Sequence, residues 1–176
     1  AVYFKLKGKD VPHVADLLSA AAGKAQGSVS DMSAALNQAG LIAAGTGLSI
    51  EETVGTLASF ASAGLMGSDA GTSFKTMLQA IQAPSGKTRE LMEDLGISAY
   101  DTGGNFIGIA NFAQNLKDKL SKLTPEVRAN AMAQIFGSDA TRAANILYEQ
   151  GAVGIQTWID KTNDAGYAAE TAAIKT

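Results

Sequence analysis

Residues 57–77 read LASFASAGLMGSDAGTSFKTM, with glycine at 64, 67 and 71 and only two charges, Asp69 and Lys75. Upstream, Ser49-Ile50-Glu51-Glu52 has the form of a capping box: the Ser49 hydroxyl takes a free amide of the first turn while Glu52 reaches back to the Ser49 amide. Val54, Leu57, Ala58, Ala61 and Leu65 then recur at helical spacing on one face. Gly64 or Gly67 closes that helix, because glycine enters the left-handed region at no steric cost. Gly67-Ser68-Asp69 reads as the stop followed by a new cap, and Phe74, Met77, Leu78 and Ile81 form the next stripe. Gly71 and the alanines around it allow close helix contact. Two short helices joined by a glycine turn set the expectation for the whole chain: mainly all-α, a compact bundle of short antiparallel helices. A phosphate cradle is excluded, since GLMGSDAGTSF has no lysine and follows a helix rather than a strand.

The same grammar extends in both directions. Val14, Leu17, Leu18 and Ala21 form an i, i+3, i+4, i+7 stripe. Ser28 and Asp31 open a helix whose face is Met32, Leu36, Ala39 and Ala43, ended by Gly45-Thr46-Gly47. Downstream, Pro84-Ser85-Gly86 is a loop, and Lys87 to Leu95 is a charged helix stopped by Gly96. Residues 97–109 break the pattern: apolar and small residues alternate around Asp101-Thr102-Gly103-Gly104-Asn105, which predicts a small β-hairpin-like insertion. Ile109, Phe112, Leu116 and Leu120 restore the helical period. Thr124-Pro125-Glu126 starts another helix, with Pro125 in the first turn. It is lined by Val127, Ala131, Ile135 and Phe136 and ended by Gly137. Ser138 caps a helix running to Gly151, and Ile155, Trp158 and Ile159 make the last apolar patch.

This organisation predicts one helical domain over residues 1–176: a lead-in at 1–12, helices at 13–95, the hairpin-like loop at 97–109, helices at 110–162 and a weakly anchored tail at 163–176. Its core is expected around Leu17, Leu36, Leu57, Phe60, Phe74, Leu78, Leu116, Ile135 and Trp158. The opening AVYFKLKGKD starts with three candidate core residues, carries no initiator methionine and reverses the order of a signal peptide, so the chain reads as a piece of a longer protein. The positions expected to matter structurally are Ser49, Glu52, Gly64, Gly67, Gly71, Phe74, Gly103, Gly104, Phe136 and Trp158.

Composition narrows function. The 176 residues carry a net charge of −3 and no cysteine, with a pI near 5.1. Such a balance offers no general attraction for phosphate, which argues against specific nucleic-acid binding. Disulfides and thiolate chemistry are excluded. Residues 32–50 are uncharged for nearly a bilayer's length, but Asn37, Gln38, Thr46 and several glycines favour a buried helix over a span. His13 is the sole histidine, flanked by Asp10 and Asp16. Glu51, Glu52, Glu90, Glu93 and Asp94 fit solvated faces and helix-dipole partners. No G-x-S-x-G elbow occurs. The expectation is a protein that is not an enzyme and has no catalytic, cofactor or metal site.

The order of these blocks resembles a known family. HVADLLSAAAGKAQGSVSDMSAALNQAGLIAAGTGLSIEETVGTLASFASAGLMGSDAGTSFKTMLQAI is similar to the core region of phage tail tape measure proteins: an ADxLxxAA run, a GLS-x-EE helix start and an AxAGxxGSxAGT turn. Leu95-Gly96-Ile97, the aspartate–glycine turn ending in Asn105-Phe106, and Ile135-Phe136-Gly137 continue the likeness, which runs from about Gly8 to Gly151. The resemblance implies a structural virion protein that takes part in tail assembly, length determination and DNA delivery. It implies partners among the tail tube protein, tail-tip or baseplate proteins and assembly chaperones, assembly as a homo-oligomer in the tail, and contact with the host membrane. It places the protein in the virion, and in the host cytoplasm during assembly. The short, broken helices depart from a ruler and suit a folded block within the ruler chain. Two other classes stand beside this reading: a membrane-inserting or pore-forming helical module using residues 32–65, and a cell-wall hydrolase fragment built on His13.

Overall fold

The computed structural model describes residues 4–175; the apolar residues at positions 1–3 and the final residue lie outside them. A 3-10 turn at Gly8–Asp10 leads into eight α-helices: α1 (Val11–Lys24), α2 (Val29–Thr46), α3 (Ile50–Ser62), α4 (Gly67–Gln82), α5 (Gly86–Leu95), α6 (Ile109–Leu120), α7 (Pro125–Thr162) and α8 (Tyr167–Lys175). The ends carry local signals. Ser28 Oγ accepts the Asp31 amide at 3.0 Å at the start of α2, and Gly47 closes that helix at φ +115°. Thr124 accepts the Val127 amide at the start of α7. α4 differs from the expectation: its N-cap is Met66, which makes no side-chain cap bond. Asp69 instead sits in the first turn, where its charge complements the helix dipole.

α3 is the centre. Ten of its thirteen residues are buried, so it is covered all round rather than along one stripe. α1, α2, α4 and α7 supply the cover. Such a helix must be smooth, and Gly55, Ala58 and Ser59 make it so. Thr53 returns its hydroxyl to the Ser49 carbonyl at 2.8 Å. The Thr56 and Ser59 hydroxyls are buried with no hydrogen-bond partner among the described residues.

The bundle is not simply antiparallel. α2 and α4 pack extensively, with Gly67 near Asp31, Gly71 against Ala35 and Gln82 hydrogen-bonded to Thr46. Both chains advance together along this contact, so the pair is parallel. The reason is connectivity: α3 carries the chain back between them. α6 and α7 do run antiparallel, since Gln114 meets Ala152 and Lys117 meets Glu149.

Two further expectations are corrected. The hairpin over residues 97–109 is absent: no strand occurs among the described residues, and one isolated antiparallel bridge joins Tyr100 to Phe106. Asp101 Oδ1 accepts the amides of Gly103 at 2.9 Å and Asn105 at 3.0 Å in the turn. Backbone pairing reaches no further than Ile107 to Ala99, because the Ser98 amide is taken by Asn115 of α6 and α6 begins at Ile109. Leu36 and Trp158 are only half-buried against the core. On α2 the buried face is instead Met32, Ala35, Ala39, Gly40 and Ala43, the small residues that let α4 approach.

Candidate functional site

Helix ends and helix crossings carry the polar contacts that hold the described residues together. Ser49 and Glu52 close a reciprocal cap: Ser49 Oγ accepts the Glu52 amide at 3.0 Å, and Glu52 Oε1 accepts the Ser49 amide at 3.1 Å. The second oxygen, Glu52 Oε2, accepts the Ile109 amide at 3.0 Å. One carboxylate thus accepts an amide at the N-terminus of both α3 and α6, reaching Ile109 across 57 positions of sequence, and its charge suits both dipoles.

The glycines divide into two kinds. Gly64 (φ +91°) and Gly67 (φ +66°) turn the chain between α3 and α4 in the left-handed region. Gly71 is helical, and a Cβ there would stand 2.5 Å from the Ala35 carbonyl oxygen. Gly104 takes φ +81° beside Gly103 in the Asp101 turn. Phe74 is fully buried and Phe136 nearly so. The half-exposed Trp158 ring has Lys161 Nζ 4.1 Å above its centroid.

The hydrogen bond His13 makes goes to neither Asp10 nor Asp16. The His13 Nε2 lies 2.8 Å from Glu51 Oε1, tying α1 to the start of α3. Burial pushes the Glu51 carboxyl up, but the hydrogen bond from His13 helps bring it below its ordinary 4.5. Among the described residues no three His, Cys, Asp or Glu side chains could hold a metal ion. No helix of the described residues is long and apolar enough to cross a membrane.

Asp16 has another task. Its carboxylate accepts the amides of Gly166 at 2.9 Å and Ala168 at 3.1 Å, capping α8 from across the fold. Lys24 reaches the Lys161 carbonyl and Asp164, both at 2.8 Å, and lies 5.3 Å over the Tyr167 ring. These contacts dock the segment after residue 163 onto α1. The Gly166 amide, then that of Ala168, hold the Asp16 carboxyl below its ordinary 3.8 against a desolvation effect of opposite sign, with a smaller contribution from His13. A folded-state value below the unfolded one means that the stabilisation is complete above the unfolded carboxylate range and fades as pH falls through the lowered value. The α8 contact is therefore expected to loosen selectively below about pH 4. Hydrogen exchange at the Gly166 and Ala168 amides checks this: protection should drop in acid, and Asp16→Asn should lose protection already at neutral pH. Protection that is indifferent to both changes would contradict the cap.

Sequence reasoning missed four positions: Gly55, Ser73, Asp16 as a cap and Gln114. A Cβ on Gly55 would lie 2.5 Å from the Ile159 backbone, so α3 and α7 cross there at backbone contact. Gly55 stands inside a helix with a small-residue spacing, a signal that was available. The other three act across long separations and leave no local trace. A shallow concavity of about 690 Å³ lies between Leu41, Ile42, Gln82, Tyr100 and Phe106.

Close helix crossings and reciprocal helix caps hold the described residues together. The family model described as phage-related minor tail protein matches residues 3–137. The chain belongs to that family, and so to the structural proteins of phage tails. Within it, the resemblance to tape measure proteins holds. The chain is 32% identical over 148 residues to the tape measure protein of Pneumococcus phage Dp-1, covering 84% of this chain and 13% of the relative. It is 33% identical over 153 residues to the probable tape measure protein of Escherichia phage P2, covering 86% of this chain and 19% of the relative. This chain therefore spans less than a fifth of either relative's length. No solved structure matches it.

Proposed function

We propose that this chain is a folded block of a tape measure protein that takes part in tail assembly, length determination and DNA delivery. The block acts through binding surfaces and stability, without catalysis. The observation that supports this reading is that the family match, residues 3–137, takes in α1 to α6 whole, with the central α3 and three of the four helices that cover it. The likeness to the tape measure relatives falls on a core-forming unit rather than on a heptad repeat. Glycine turns and caps separate its helices at intervals too short for a ruler. The partners this reading implies are the tail tube protein, tail-tip or baseplate proteins and assembly chaperones, met by several copies in one tail. The virion is where it works; the host cytoplasm is where it is assembled.

An in-frame deletion of residues 49–83 in the parent phage tests the reading. A stretched helix in the tail lumen would shorten tails by about 1.5 Å per deleted residue. A folded block instead predicts failed assembly or delivery, or tails of normal length, in electron micrographs. Viable particles with proportionally shortened tails would overturn it.

A further inference from the structure

α2 has the composition of a buried helix, yet one side of it is uncovered. From Met32 to Ile50 the chain carries no charge, whereas a helix at a protein surface ordinarily places charged residues on its outer face. The inner face of α2, with Ala35, Ala39 and Ala43, is buried where α1, α3 and α4 pack on it. Asn37, Leu41 and Gly45 are all exposed, and their four-residue spacing sets them one above another on the outer face. Leu41 is 61% exposed.

Gly45 supplies a second observation. It is helical, and an added Cβ there would meet nothing within 4 Å. Glycine inside a helix costs stability relative to alanine. At Gly55 and Gly71 a close neighbour accounts for it, but at Gly45 no neighbour among the described residues does. The glycine leaves a dent in the surface one helical turn beyond the protruding Leu41.

Beside Leu41 and Gly45 lies the concavity of about 690 Å³, walled by Tyr100 and Phe106. Those two rings stand edge to face with centroids 6.2 Å apart. The bridge between the two residues and the turn at Asp101 hold them in place, so a partner would have little to order there. No residue lining the concavity carries a charge at neutral pH.

We propose that this face binds a second copy of the same chain, α2 against α2 in an antiparallel two-fold contact. Leu41 of each copy enters the dent at Gly45 of the other, beside the groove walled by Tyr100 and Phe106. Charge selects this occupant. Each copy carries a net charge of −3, and a two-fold contact sets a surface against itself, so a face of one sign would repel its twin. The uncharged α2 face escapes that repulsion, while a charged partner would lose its hydration there without compensation. A strip about 27 Å long and about 10 Å wide falls well short of the ~800 Å² per partner of a standard interface, so the pair is concentration-dependent. The proposal rests on the reading that several copies meet in one tail and names the face through which they meet. Its failure would leave that reading to the phage deletion.

Sedimentation equilibrium of the 176-residue chain from about 10 μM to about 1 mM tests it. The wild type is expected to move with concentration from 18.0 kDa toward twice that mass. Leu41→Lys should weaken the association about tenfold or more, because it buries an unpaired charge. Gly45→Ala should also weaken it while raising the urea midpoint of the monomer, an opposition that a role confined to the single chain would not produce. Val153→Lys, at an apolar side chain 80% exposed elsewhere, is the control and should leave the association unchanged. A wild type that stays at 18.0 kDa throughout, or that assembles beyond two copies, overturns the proposal. So does an association that Leu41→Lys or Gly45→Ala leaves intact, or that Val153→Lys weakens equally.

Discussion

Phe74→Ala is expected to lower the unfolding free energy by about 3–5 kcal/mol. Phe74 is fully buried and stands edge-on to Phe60, with ring centroids 5.4 Å apart and planes at 85°. That contact joins α4 to the central helix, and such aromatic pairs add to the burial of apolar area. α4 is itself wedged between α2 and α7, so the gap left by the ring cannot close by a surface rearrangement. Urea titration of the two proteins measures the difference. A loss under about 1 kcal/mol would mean that α4 presents a different face to the core.

Gly55→Ala and Gly71→Ala are each expected to cost about 2 kcal/mol or more. Alanine is the better helix former by about 1 kcal/mol, so taken locally both substitutions stabilise. Packing reverses the sign. The new methyl would meet the Ile159 Cα at 2.5 Å in one case and the Ala35 carbonyl oxygen at 2.5 Å in the other, and backbone cannot step aside as a flexible side chain does. Gly45 is the control: it is helical, and nothing lies within 4 Å of its added Cβ. Gly45→Ala should gain about 0.5–1 kcal/mol. Equal effects at all three positions would show that helix crossing distance does not set the sign.

The sequence made the helices legible because their signals are local. Ser28, Ser49 and Thr124 announce helix starts, while Gly47 and Gly96 announce ends. The apolar period marks Phe74, Met77, Leu78 and Ile81 as one face. What stayed hidden depends on partners far along the chain. The parallel pairing of α2 with α4 follows from where α3 runs. Trp158 shares an apolar patch with Ile155 and Ile159, yet only those two are buried while the ring packs at the edge of the core. The expected hairpin is reduced to one bridge, Tyr100 with Phe106, because Ser98 gives its amide to Asn115, 17 positions later, a partner no local pattern announces. Gly55 shows the converse case. A glycine in a helix interior costs stability unless something approaches it, and what approaches is Ile159, 104 positions later.

The central claim is that this stretch of a phage-related minor tail protein folds back on itself instead of running as one rod. Small-angle scattering of the isolated 176-residue chain tests it most directly. The account predicts a radius of gyration near ~16 Å, or that of a small oligomer of such globules. One continuous helix of this chain would be a rod of roughly 260 Å, and a radius of gyration several times larger, with a rod-like scattering profile, would contradict it.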